Sequence, residues 1–467
     1  MQDETTRALG RAIHHSLQHL DQLPYAPVGP TVDLATMRRR LLRPLGDGPL
    51  PAEQVIDELV ADSAGGIVGS AGGRFHAWVV GGSVPAALAA DWLTSTWDQN
   101  AGLYAAGPAA AIAEEATGAW VSELLGLPRQ ASFALVTGCQ MAHATCLAAA
   151  RNAVLRSKGW DVEADGLQGA PAIRVISGNQ RHSSTTRALR LLGLGKNCVI
   201  DIPADDQYRL RPADLEAELR REPDRPTIVL LLAGELCTGS FDPFRELIPI
   251  AKKYNAWVHV DGAFGLWAAA SARFRHLTDG VDLADSWATD GHKWLNVPYD
   301  SGFAFVRDNA AHLASMSSRE SYLIYDGNAR DQMDWNPEFS RRARGFAAYA
   351  AIRQLGRSGV EQLVDRCCDL ALALVRGVGA LPGAEIVWEP QINQGLVRFP
   401  DPAGLDDNAW TDKVIAAILA SGEAFFGGTT WHGSRCMRVS VSNWRTTQAE
   451  VDRVIAAVEN VLKRLES

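Results

Sequence analysis

The chain has 467 residues, 47% hydrophobic and 21% charged, so its length suggests two or three domains, or one large domain with appendages, and a sizeable buried core. Its net charge of −9 argues against a nucleic-acid partner or an anionic membrane surface. Seven cysteines with no CxxC pair argue against a disulfide framework or a structural zinc site, and no other metal is expected. The N-terminal stretch MQDETTRALGRAIHH lacks the apolar core of a secretory signal, and no apolar run approaches the ~18 residues of a membrane span. A reducing cytoplasm is therefore expected.

Residues 1–75 read as an N-terminal segment, helical at first and then irregular, with GDGPLP as a breaker and SAGGIVGSAGGRF as a loop. Residues 84–125, rich in Ala and Leu, are predicted to be largely helical. From about 132 short β-prone runs alternate with helical stretches: SFALVTG, AIRVISG, NCVID, TIVLLLAG, AWVHVDGA, DSWATD and GFAFVRD. That alternation predicts an α/β fold with a mainly parallel central sheet and helices on both faces. Ligands in such sheets sit beyond the carboxyl ends of strands. Residues 317–340 lack periodicity and read as a mobile loop. Two helices (341–356 and 358–379), then EIVWEP, GLVRFP, a helix near 408–420, CMRVSVSN and a final helix, predict a smaller C-terminal α+β domain. The expected division is 1–75, a large domain 76–340 and a small domain 341–467.

Four segments carry candidate chemistry. Lys293, in DSWATDGHKWLNVPYDSG, follows a β-prone stretch between His292 and Trp294. Alone it reads as a solvated lysine; buried beside an aldehyde cofactor, its amine would be neutral and reactive. Asp261 ends the strand-like WVHVD; alone it is a turn or helix-cap aspartate, or else the partner of a heterocycle nitrogen. Gly138, Cys139 and Gln140 stand where a strand ends and a helix opens, an ordinary turn or a phosphate site. His182, in GNQRHSSTTRAL, is a surface or core histidine or a ring that stacks on a cofactor.

Together these segments resemble the group II decarboxylases that use pyridoxal 5′-phosphate (PLP), within the aspartate-aminotransferase-like fold type I. The resemblance spans roughly 70–465 and is most specific at His292-Lys293-Trp294, HVDGAFG and the HSS at 182–184; GGSVPAALAADWLTSTWDQN and TGSFDP are also in character. It implies PLP as cofactor, Lys293 as the internal aldimine lysine and His292 near the phosphate. Asp261 would pair with the ring nitrogen, Ala263 pack against the ring and His182 stack on it. Gly138, Cys139 and Gln140 would form the phosphate loop, with Thr238 near the cofactor's O3′ side. The chain departs from the family at Gln140 (usually a small hydroxyl), His143 (Asn), Asp290-Gly291 (often Asn-Pro) and Cys237 (often Asn). Asp290 is kept among the cofactor-binding candidates.

The resemblance further implies decarboxylation of an L-amino acid and a homodimer with shared active sites. A loop tyrosine, Tyr322 or Tyr325, would return a proton, although either is equally a packing residue. Arg438 matches a carboxylate-binding position of related aminotransferases or is a packing arginine. If it grips the carboxylate, a carbon–carbon lyase or an aminotransferase becomes the better reading. His76 and Trp78, with Phe75 and Trp97, are candidates to line a substrate pocket or plain core residues. A catalytically silent scaffold is the rival of another class, and retention of Lys293 with Asp261 argues against it.

Overall fold

The computed structural model describes residues 2–319 and 321–467. The chain folds into two compact units. The larger holds Gly81–Leu372 and Glu389–Gly395; the smaller holds the chain up to Val80, Ala373–Trp388 and Leu396–Ser467.

The larger unit is built on a seven-stranded sheet: β1 (Ser132–Val136), β2 (Arg174–Gly178), β3 (Val199–Ile202), β4 (Thr227–Leu232), β5 (Trp257–Asp261), β6 (Ser286–Asp290) and β7 (Gly302–Val306). Their order is β1-β7-β6-β5-β4-β2-β3. Strand β7 runs antiparallel to both neighbours, and the remaining pairs are parallel. TIVLLL of β4 is buried at every position, as expected of a strand covered on both faces. The helix Phe244–Lys253 buries Phe244, Leu247, Ile248 and Ala251, an i, i+3, i+4, i+7 stripe set by the sequence spacing. The Ala-rich helix Cys139–Arg156 is buried almost all round.

Strand pairing brings the chemistry to one end of this sheet. Asp261 closes β5 and Asp290 closes β6, while the antiparallel β7 begins there at Gly302. Gly302 is paired with Asp290 on one side and with Val136 of β1 on the other. The turn Thr137-Gly138 therefore follows directly. A Cβ on Gly302 would lie 2.5 Å from the Gly138 Cα, so glycine permits this approach.

The 84–125 region is largely helical as predicted, in two helices, Pro85–Trp97 and Pro108–Leu124, separated by a left-handed cap at Asp98 and restarted by Pro108. Other expectations are revised. The predicted helix start at 341 moves to 345. The guanidinium of Arg341 is instead drawn inward to Glu114 at 2.9 Å and to the carbonyls of Ala101 and Leu135. As predicted, two helices fill Gly345–Gly379, parted by the non-helical Gly356 (φ 61°). Within the 317–340 segment, Asp331–Asp334 and Asn336 are buried, so its second half is packed structure rather than a mobile loop.

The smaller unit carries a four-stranded sheet, β8 (Glu385–Trp388), β9 (Gln394–Arg398), β10 (Gly427–Trp431) and β11 (Ser434–Ser440), in the order β10-β11-β9-β8. Here too are the helices Gln2–Gln22 and Ala52–Ser63, joined by Arg7–Glu53 at 2.8 Å and Arg11–Asp57 at 2.7 Å. Among the described residues, no helix is long and apolar enough to cross a membrane. All seven cysteines are free thiols.

Burial also sets the acid stability. His76, His259 and His312 have no exposed surface. Burial pushes them down from 6.5 to about 4, about 3 and about 3 respectively. Each stays neutral in the fold while the unfolded chain takes up a proton near 6.5. Stability present at neutral pH is therefore lost as pH falls below that value, by at most about 1.4 kcal/mol per histidine per pH unit. The urea midpoint is expected to drop between about pH 7 and about pH 5. Equal midpoints would contradict the burial of these rings.

Candidate active site

Lys293 lies in the turn after β6, and its Nζ is 2.8 Å from Asp290 Oδ2. The other Asp290 oxygen accepts the Cys139 N–H at 2.5 Å and lies 3.4 Å from His292 Nε2. The Trp267 indole donates to the Asp290 carbonyl at 3.0 Å, and the Asp290 N–H donates to the Ala263 carbonyl at 3.0 Å. One buried aspartate thus ties together the helix opening at Cys139, the turn after β5 and Lys293. Gly81 lets its backbone pass close by: a Cβ there would fall 1.7 Å from the Lys293 carbonyl oxygen.

Burial pushes the Lys293 ammonium down, but Asp290 foremost, with Cys139 and Asp261, more than offsets this and raises it overall. In the cofactor-free chain the amine is therefore held as an ammonium. Replacing Asp290 by Asn removes the leading cause, so the neutral amine becomes available at lower pH. Covalent loading of pyridoxal phosphate, followed by stopped-flow absorbance, should shift its pH–rate profile toward acid in Asp290→Asn. An unmoved profile, or a shift toward alkali, would contradict the pairing.

Asp261 is 7% exposed. It accepts the Ala263 N–H at 3.1 Å and the Thr185 hydroxyl at 3.4 Å, and it lies 3.4 Å from His143 Nε2. Burial works to raise this carboxyl, but His143, Lys293 and the Ala263 N–H together hold it well below the usual carboxylate range. The Cys139 thiol is 3.4 Å from His143 and 3.9 Å from Asp261, and burial pushes it up. His292 stacks on Tyr299 with centroids 4.3 Å apart, and its Nδ1 accepts the Ser301 N–H at 3.2 Å. A Cβ on Gly138 would lie 2.9 Å from the His292 ring.

Lys293, Asp290, His292, Asp261, Ala263, Gly138 and Cys139 therefore form one connected cluster. Other candidates lie differently. The Cys139 N–H, expected for a phosphate, is already taken by the Asp290 carboxylate. Gln140 accepts from Arg187 at 3.3 Å. His182 is exposed at the start of the helix Ser183–Leu191, its Nδ1 2.7 Å from the Ser184 hydroxyl. Thr238 is buried in a tight turn, its hydroxyl 2.9 Å from Glu235 and 2.8 Å from Ser240. Tyr322 is exposed, and Tyr325 lies under the Arg319 guanidinium at 4.8 Å. His76, Trp78 and Arg438 belong to the smaller unit. There His76 is wholly buried against Phe426, and Arg438 donates to the Trp78 carbonyl. Trp97 packs edge-on against Phe346 at 5.0 Å, and Phe75 is buried.

The sequence matches the pyridoxal-dependent decarboxylase conserved domain over residues 37–400. The chain belongs to the pyridoxal-dependent decarboxylase family. It is 27% identical to an aromatic-L-amino-acid decarboxylase of Bacillus atrophaeus, covering 98% of this chain and 95% of the relative. It is 28% identical to an L-2,4-diaminobutyrate decarboxylase of Rhizobium meliloti, covering 82% and 77%. Its fold matches the Oryza sativa enzyme TDC solved with PLP and tryptamine (TM-score 0.93, 23% identity, covering 100% and 99%). These findings bear out the α/β fold type I, the cofactor and the carboxy-lyase class expected from sequence.

The site suits this cofactor on its own geometry. A buried anion at Asp261 suits a protonated heterocycle nitrogen, and the primary amine of Lys293 suits an aldehyde. Thr185 and His259 were not singled out from sequence, and His143 only as a departure from the family pattern. For His259 a signal was present, since Trp257, His259 and Asp261 alternate along one strand.

Proposed function

We propose that this protein decarboxylates an L-amino acid at the Lys293–Asp290–Asp261 cluster. The observation that carries the reading is the pairing of the Lys293 amine with the buried Asp290 carboxylate, with the buried Asp261 closing the adjacent strand. When bound, PLP supplies a protonated ring that accepts the electron pair left on Cα as CO2 departs. Lys293 Nζ provides the amine for the cofactor's aldehyde, and Asp290 takes and returns the proton on that nitrogen. Asp261 holds the proton on the ring nitrogen, and Ala263 packs beside it. The Gly138–Gln140 turn and His292 serve the phosphate, and Thr238 the O3′ side. We assign orientation of the substrate to His182, and return of a proton to Cα to Tyr322 or Tyr325.

The substrate class we favour is aromatic. Its support is the naming of the Bacillus relative and the tryptamine in the rice structure. Arg438 is held to the Trp78 carbonyl, which speaks against an aminotransferase-like grip on the carboxylate. We also propose a homodimer, supported by the exposed Trp92, Leu93, Trp97 and Phe339, and a cytoplasmic location, supported by seven free thiols. The test is to give purified holoenzyme a panel of aromatic, acidic and diamino acids and to follow CO2 with amine. Equal release of both from an aromatic substrate is expected. Amine or aldehyde without CO2 would overturn decarboxylation, and turnover confined to acidic or diamino substrates would overturn the aromatic assignment.

A further inference from the structure

Beside Asp261 the larger unit buries a line of polar side chains that neither cofactor attachment nor proton transfer at Lys293 requires. Trp257, His259 and Asp261 occupy alternate positions of β5, so their side chains share one face. His259 stands opposite Ser286 in the β5–β6 register, and His143 lies in the second turn of the helix Cys139–Arg156. The Trp257 indole nitrogen is 2.9 Å from the Ser286 hydroxyl, and that hydroxyl is 2.9 Å from His259 Nδ1. His259 Nε2 is 2.9 Å from His143 Nδ1, and His143 Nε2 is 3.4 Å from Asp261 Oδ2. His143, His259 and Ser286 have no exposed surface.

The direction of the hydrogens follows from the carboxylate end. The ionised Asp261 can only accept, so the hydrogen of His143 lies on Nε2, and its Nδ1 accepts from His259 Nε2. His259 is kept neutral by burial, so its Nδ1 accepts from the Ser286 hydroxyl. Ser286 Oγ in turn accepts from the Trp257 indole. Each of the four hydrogens is used once, and all point toward Asp261. Flipping the tautomer of one imidazole alone would set two hydrogens or two lone pairs against each other across 2.9 Å.

We infer that His143 and His259 are positioning residues: the relay running from Trp257 through Ser286 keeps Asp261 a carboxylate, so that the proton it faces stays on the cofactor's ring nitrogen. This rests on the assignment of Asp261 to that nitrogen proposed above. Without the relay, a carboxylate this deeply buried would gain by taking the proton itself. The ring would then be neutral and a weaker electron sink.

The test loads the holoenzyme with pyridoxal phosphate carrying 15N in its ring and reads the ring-nitrogen resonance. In the wild type it should lie at the protonated position. His143→Leu should move it toward the unprotonated position and lower kcat about tenfold with KM little changed. Ser286→Ala should move it partway in the same direction, although it touches neither Asp261 nor the cofactor. His143→Gln, which restores an N–H donor, should return the resonance toward wild type. Should His143→Leu not fold, Ser286→Ala carries the test. Bound cofactor with an unmoved resonance in the folded variants would overturn the relay, as would an unprotonated ring in the wild type. Failure of the wild type to bind the labelled cofactor would instead overturn the proposed function.

Discussion

Replacing Lys293 by Ala is expected to abolish covalent retention of the cofactor after borohydride treatment and to lower turnover by at least about 10³-fold. The substitution removes the amine that meets the aldehyde and the proton carrier next to Asp290. It also leaves the Asp290 carboxylate, 2% exposed, without its cation. Breaking a buried pair costs about 3–5 kcal/mol, and the 23% exposure of the Lys293 side chain points to the lower end. Lost activity alone could thus reflect a loosened fold. The double variant Lys293→Ala, Asp290→Asn removes both charges, and its urea midpoint should recover toward wild type while turnover stays lost. A double variant that regained both would sink the role given to Lys293, as would a single variant that kept full turnover of every accepted substrate.

What the sequence made legible divides by the range of the interactions involved. The apolar TIVLLL of β4 and the i, i+3, i+4, i+7 stripe of Phe244–Lys253 depend on local periodicity, and both elements lie where they were predicted. Asp261 and Lys293 were legible because each closes a strand-like run, and strand ends are where parallel sheets place their chemistry. Strand β10 was missed: GGTTW has little apolar patterning. Its signal is the two-residue turn His432-Gly433, whose positive φ angles of 46° and 84° suit a tight hairpin. Residues joined only by folding were hidden. Thr185 meets Asp261 across 76 positions, and His143 meets His259 across 116. The role of Asp290 was underestimated for the same reason, since its grip on the Cys139 N–H depends on β1, β7 and β6 lying side by side.

That long-range wiring makes the second large effect a test of coupling as well as of charge. Asp261→Asn keeps the shape and one acceptor oxygen but removes the anion from a site 7% exposed. Cofactor attachment should survive, because Lys293 and Asp290 are untouched, while kcat should fall about 10²–10³-fold as a preorganised charge is lost. The relay acts only through this carboxylate. Once Asp261 is Asn, the further change His143→Leu should therefore cost almost nothing more. Groups that work as one unit give such non-additive losses, whereas independent groups multiply theirs. A double variant whose loss equals the product of the two single losses would mean that His143 acts on the reaction by some path that bypasses Asp261. A single Asp261→Asn variant with wild-type kcat would remove the need for a charged partner at the ring nitrogen altogether.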